Sequence, residues 1–142
     1  MISYNTENVA MPKLRKRQIN HWIKIVANLM DKKVGDIGYL FVNDDKILEV
    51  NKKYLQHDYY TDIITFDYTN NNVISGDIFI SIDTVKTNSK KFNKTFEDEL
   101  HRVIIHGVLH LCGLDDKSPI ERKKMETWEN RSLLILPEVS TV

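Results

Sequence analysis

Residues 101 to 116 read His-Arg-Val-Ile-Ile-His-Gly-Val-Leu-His-Leu-Cys-Gly-Leu-Asp-Asp. His106 and His110 stand four apart inside an apolar-periodic segment, so on a helix both imidazoles leave one face a turn apart. That spacing lets two ring nitrogens grip a single zinc ion. Gly113 follows where a helix C-terminus wants a residue tolerant of a left-handed backbone. The chain can then turn back, and Asp116 becomes able to supply a third ligand, with Asp115 beside it as a rival. Three protein ligands and an open fourth position is the pattern of a catalytic zinc site, with one ion per chain.

The chemistry open to such a site depends on the residue after the first histidine. The spacing H-x3-H-x5-D equals that of zinc proteases, which place a general-base Glu at that position. Here it is Gly107, which has no proton acceptor, so a classical zinc peptidase is not expected. Metal-assisted phosphodiester hydrolysis makes no such demand, because the ion itself acidifies water and polarises a phosphoryl oxygen. Cys112, two residues past His110, lies about 200° around the helix and reads as core. His101 falls off the metal face. Arg102 shares that face and is expected to pair with Asp98, one turn back. His57 could approach only from a folded-over loop.

Around this segment the chain alternates helical and strand patterns. Residues 1 to 12 read as a loose extended lead-in. From Lys13 to Met30, Ile19, Trp22, Ile23, Val26, Leu29 and Met30 recur at helical spacing. Ile37 to Val42 is a buried strand, and Asp44 caps a helix carrying Ile47, Leu48, Val50, Asn51 and Tyr54. Leu55 to Asp62 reads as a loop. Ile63 to Tyr68 and Val73 to Ser81 form a hairpin around the Asn-rich turn near residue 71. A helix then opens at Ser81 or Asp83 and runs to about Phe92. Thr95 with Asp98 starts the histidine helix, which Phe96, Leu100, Val103, Ile104 and Leu111 bury. Ser118-Pro119-Ile120-Glu121 carries an N-cap, a first-turn proline and a capping-box Glu, beginning a last helix to about Leu134. A loose tail follows Pro137.

The histidine string also carries a resemblance. It is similar to the signature H-G-x-L-H-L-x-G-x-D-H of the YbeY family of bacterial metal-dependent endoribonucleases, matching every specified position but the last. Where that family has its third ligand His, this chain has Asp116, so the resemblance favours Asp116 over Asp115. Asn51 to Phe66 resembles the family's N-x-x-Y…T-D stretch, and Gly76-Asp77-Ile78-Phe79-Ile80-Ser81 matches its G-D-I-x-I-S strand. One departure is Leu55, where an Arg usually follows the Tyr. The resemblance implies single-strand-specific, zinc-dependent RNA cleavage in 16S ribosomal RNA 3′-end maturation and ribosome quality control. A different class of function remains open: a non-catalytic, metal-stabilised binding module on the ribosome or its assembly factors.

Composition bounds these readings. A chain of 142 residues is expected to form one domain, 1–142, with a real core. The expected architecture is α/β (α+β) and zincin-like: a small mixed sheet, a central metal-binding helix and several covering helices. No apolar run reaches the roughly 18 residues of a membrane span, and no secretory signal is visible. Cys112 is the only cysteine, which fits a reducing cytoplasm. Twenty basic and twenty acidic residues cancel, so contact with RNA phosphates must come from local clusters, near Lys13 to Arg17 and Lys86 to Lys94.

Overall fold

The computed structural model describes residues 1–55 and 61–138, so His57 lies outside the described residues. Four strands build one mixed sheet: β1 (Ile2–Thr6), β2 (Lys33–Val42), β3 (Ile63–Asp67) and β4 (Val73–Ser81). Their order is β1-β2-β4-β3, with β1 and β4 parallel to β2 and β3 antiparallel to β4. The expected hairpin is therefore present, at one edge of the sheet. The N-terminal segment is not a loose lead-in. Ile2, Tyr4 and Thr6 turn half-buried side chains to one face while Ser3 and Asn5 stay exposed, the period-two signature of an edge strand. Tyr4 stacks on Tyr39 of β2 at 5.4 Å. β2 begins four residues before the predicted Ile37, because its polar start pairs Lys33 and Val34 with Val73 and Ile74.

Five helices complete the chain: α1 (Lys16–Leu29), α2 (Asp44–Val50), α3 (Ile82–Lys91), α4 (Phe96–Leu111) and α5 (Pro119–Ile135). A five-residue π-helical turn, Asn51–Leu55, extends α2, and a 3-10 turn, Leu136–Glu138, follows α5. α1 starts three residues later than its pattern predicts. α2 is capped by Asn43, whose side chain accepts the Lys46 N–H, and not by Asp44. Asp44 instead accepts the hydroxyls of Ser81 and Thr84, each at 2.6 Å, tying α2 to the start of α3.

The sheet divides the core in two. One face, with Ile37, Tyr39, Phe41, Ile78 and Ile80, packs on residues of α1, α3, α4 and α5. The other, with Val42 and Ile64, packs on Ile47 and Val50 of α2. α4 is the most deeply placed helix: Leu100, Val103, Ile104, Ile105, Val108, Leu109 and Leu111 are all buried. Each contributes roughly 1.5–3 kcal/mol by leaving water. The Tyr39 hydroxyl donates to the Ile104 carbonyl of α4 at 3.0 Å, and the Trp22 indole N–H of α1 donates to the Ser132 carbonyl of α5 at 2.8 Å. Both are long-range polar ties between elements that apolar packing already brings together.

Candidate active site

α4 is started by Thr95, whose side chain accepts the Asp98 N–H at 3.0 Å, with Glu97, Asp98 and Glu99 in its first turn. From Val103 to Leu111 every residue is buried except His106 and His110. The i,i+4 spacing thus brings the two imidazoles out together from an otherwise buried helix. Gly107, between them, sits against the sheet. A Cβ there would lie 2.9 Å from Ile78 Cδ1 and 3.2 Å from Ile63 Cδ1, so glycine is what lets the helix approach. Gly113 takes φ +105° and turns the chain as expected, which returns Asp115 and Asp116 to the imidazoles.

His106, His110, Asp115 and Asp116 line one cleft of about 720 Å³, whose other wall is Asn51, Leu55, Thr61, Asp62 and the edge strand residues Ile63 to Thr65. Asp116 Oδ2 lies 3.4 Å from His106 Nε2. Asp115 plays a different part: its Oδ1 accepts the Asp116 N–H at 2.8 Å and holds the turn. Among the described residues, no three His, Cys, Asp or Glu side chains stand together as a ready metal site. His106 and Asp116 form a close pair, and His110 lines the same wall.

Two site residues escape sequence reasoning. Glu129 of α5 places Oε2 2.6 Å from His106 Nδ1 and accepts the Arg102 guanidinium on Oε1 at 2.7 Å. Arg102 therefore reaches across to α5, with a second bond to Asn130 at 2.7 Å, and not back to Asp98 as expected. With Nδ1–H donated to a carboxylate, the neutral ring keeps its Nε2 lone pair directed at the cleft. Asp62 is the other. It faces the cleft half-buried, and desolvation raises its pKa despite the opposing influence of His106.

These acids create a field that favours positive charge. Burial pushes the His106 pKa down, but the hydrogen bond and charge of Glu129, with Asp116 and Asp62, outweigh it and lift the ring above its ordinary value. Whatever stabilises an added proton here would also stabilise a bound cation. The remaining candidates lie elsewhere. Cys112 is buried as expected, and desolvation pushes its thiol up to about 11. His101 packs edge-on against Trp22 at 6.1 Å, and burial lowers its pKa. Both basic clusters reach a second groove of about 340 Å³, where Arg15 and Lys94 share the walls with Glu97, Asp98 and Glu99.

Comparison with known proteins meets this geometry from the other side. The family model for endoribonuclease YbeY matches residues 1–136. The chain belongs to the endoribonuclease YbeY family. It is similar to endoribonuclease YbeY of Parabacteroides distasonis, with 60% identity covering 96% of both chains. Endoribonuclease YbeY of Porphyromonas gingivalis is 47% identical, covering 96% of this chain and 91% of that one. A solution structure of a Thermotoga maritima protein superposes with a TM-score of 0.68 at 28% identity, covering 96% of this chain and 89% of its own. The YbeY fold thus accounts for the single mixed α/β domain.

Proposed function

We propose that this chain is a metal-dependent endoribonuclease that cuts single-stranded RNA in the cytoplasm. Its substrate is the 16S ribosomal RNA precursor, cut in 3′-end maturation and in quality control of ribosomal particles. Family membership supports RNA hydrolysis, and the metal dependence rests on the chain's own residues. His106, His110 and Asp116 would hold one zinc ion.

The observation that carries the metal reading is the placement of His106 between two carboxylates. Two donors on a tetrahedral zinc, each about 2.0–2.1 Å from it, stand roughly 3.4 Å apart. His106 Nε2 and Asp116 Oδ2 have that separation, 3.4 Å. Glu129 holds the opposite nitrogen, the outer-sphere bond that orients a ligating imidazole. The His106–Asp116 pair supports this reading in donor type, spacing and outer-sphere support, and His110 lines the same cleft. A divalent ion held there would supply Lewis acidity toward a phosphoryl oxygen and acidify a water.

The other groups have parts of their own. Glu129 keeps the Nδ1 proton and fixes the ring plane. Asp62 adds negative charge to the cleft wall. Gly107 keeps α4 against β4 and supplies no base, which leaves the peptidase reading without a proton acceptor at that position. Among the described residues no helix is long and apolar enough to cross a membrane.

The test is metal content and RNA cleavage measured on the same preparations. His106→Ala and His110→Ala should each abolish stoichiometric metal and cleavage together, and Asp116→Ala should weaken both. A His106/His110 double Ala variant that keeps one equivalent per chain after dialysis against chelator would place the metal elsewhere. Wild-type protein that binds RNA and metal but cuts nothing would make the chain a binding module.

A further inference from the structure

The cleft is continuous from one face of the sheet to the other. Its histidine wall lies on the α4 face, it crosses the edge of β3 at Ile63 to Thr65, and it ends at Asn51 and Leu55 of the π-helical turn. Next to Leu55 on that turn stands Tyr54, 59% exposed. Its ring is nevertheless anchored. It meets Phe66 edge-on at 5.8 Å and 85°, and Phe66 meets Phe79 at 5.8 Å and 76°. Phe66 and Phe79 pack in turn on the buried cluster of Val42, Ile47, Val50 and Ile64. A file of aromatic rings thus runs from the core to the π-helical turn, one residue from the cleft-lining Leu55, and leaves the last one open to solvent.

The charge around that ring is positive. Lys52 and Lys53 precede it, both exposed, and Lys53 Nζ hovers 5.3 Å from the ring centroid. The groove on the opposite side of His106 also holds an exposed aromatic, Phe92, and there Glu99, Glu126 and Glu129 are offset by Lys94, Arg102 and Arg122. A polyanion that leaves the cleft along the π-helical turn is drawn toward Lys52 and Lys53, and on that path it meets the Tyr54 ring.

We propose that Tyr54 is a positioning residue for the RNA strand: its ring stacks an unpaired base of the segment leaving the cleft, with Lys52 and Lys53 on the adjoining phosphates. This inference rests on the endoribonuclease reading above and names how that site holds its substrate. A base inside a duplex already has neighbours on both faces, so the platform accepts only single strands. The exposed cation–π contact of Lys53 is weak and yields readily to a base. Lys53 then moves from the ring to a phosphate.

The test is binding of a short fluorescein-labelled single-stranded RNA to the full chain, followed by anisotropy, with metal removed so that nothing is cut. Tyr54→Ala should weaken binding by about 5- to 150-fold, the range of one base–aromatic stack. Tyr54→Phe should bind like wild type. Tyr54→Leu keeps the contact with Phe66 but has no π face, so it should bind as weakly as the Ala variant and guards against misfolding of the latter. An RNA with abasic residues throughout should bind wild type and Tyr54→Leu equally, because no base remains to stack. Equal affinity of wild type and Tyr54→Leu for the intact strand overturns the stacking role and leaves the nuclease reading standing. So does an unchanged difference on the abasic strand, which would mark Tyr54 as a contact for something other than a base. Wild-type protein that neither binds nor, when metal-loaded, cuts single-stranded RNA overturns the nuclease reading, and the stacking role with it.

Discussion

Replacing Glu129 by Gln is the sharpest probe of how the site is held. Glu129 is 8% exposed and serves two cationic or proton-bearing partners, His106 Nδ1 at 2.6 Å and Arg102 Nη1 at 2.7 Å. Gln has one acceptor oxygen, so whichever partner keeps it, the other faces an amide NH2, donor against donor. A hydrogen bond to a charged group contributes about 1.5–3 kcal/mol. The Arg102 side chain is 29% exposed and regains some water, which places the net loss near 2 kcal/mol, or roughly 6 °C in melting temperature for a chain of this length. The loss depends on pH. The folded pKa of His106 is raised, so the stabilisation tied to its proton is complete below the unfolded value of about 6.5 and fades as pH rises through the folded value. In the Gln variant the main upward influence is gone and the burial penalty remains. The gap between the two metal-free proteins should therefore be widest below about pH 6.5 and narrow above it. Metal affinity should fall about 10- to 100-fold, as it does when an outer-sphere partner of a ligating His is removed. The assays are thermal unfolding from pH 5 to 8 and zinc titration against a competing chelator. Unchanged zinc affinity, or a stability gap that grows with pH, would refute the role given to Glu129.

Two further outcomes follow from packing. Gly107→Ala puts a methyl 2.9–3.2 Å from the Ile78 and Ile63 side chains, so it should destabilise by about 1–3 kcal/mol as an overpacked core does; an unchanged midpoint in a denaturant titration would show that the helix has room to shift. Cys112, its thiol pushed up to about 11 by burial, should alkylate about 100-fold more slowly at neutral pH in the native protein than in urea, since only the thiolate reacts. Equal rates in the two conditions would place the thiol in solvent.

Elements whose signals are local could be read from the chain. Ser118, Pro119 and Glu121 form the capping box that their order announces, and Thr95 starts α4 through the Asp98 N–H. The mixed sheet and the hairpin were legible for the same reason, from strand-length β-branched runs beside an Asn-rich turn. What could not be read was decided across space. Glu129 lies 23 residues from His106, and nothing on α5 distinguishes it from Glu126 before the helices dock. Arg102 had an acceptable partner one turn away in Asp98, yet a nearly buried carboxylate is a stronger acceptor than an exposed one. Ile2 to Thr6 is too short to declare itself and becomes a strand only because β2 offers it an edge. Asn43 caps α2 while Asp44 accepts the hydroxyls of Ser81, at the end of β4, and Thr84, in α3, a division no local pattern records.

The hydroxyl of Tyr39 on the Ile104 carbonyl has a consequence for motion. Ile104 lies in the turn just before His106, and Tyr39 belongs to β2, which has strands on both sides. Helices open from their ends, turn by turn, when little holds the middle. Here the middle is joined to an inner strand, so α4 around His106 is expected to stay closed while the sheet stays whole. Amide hydrogens of Ile104 to Val108 should then exchange at the rate of global unfolding, among the slowest in the molecule. An ion held at His106 would then have to depart through the cleft by side-chain movement, with the backbone beneath it still closed.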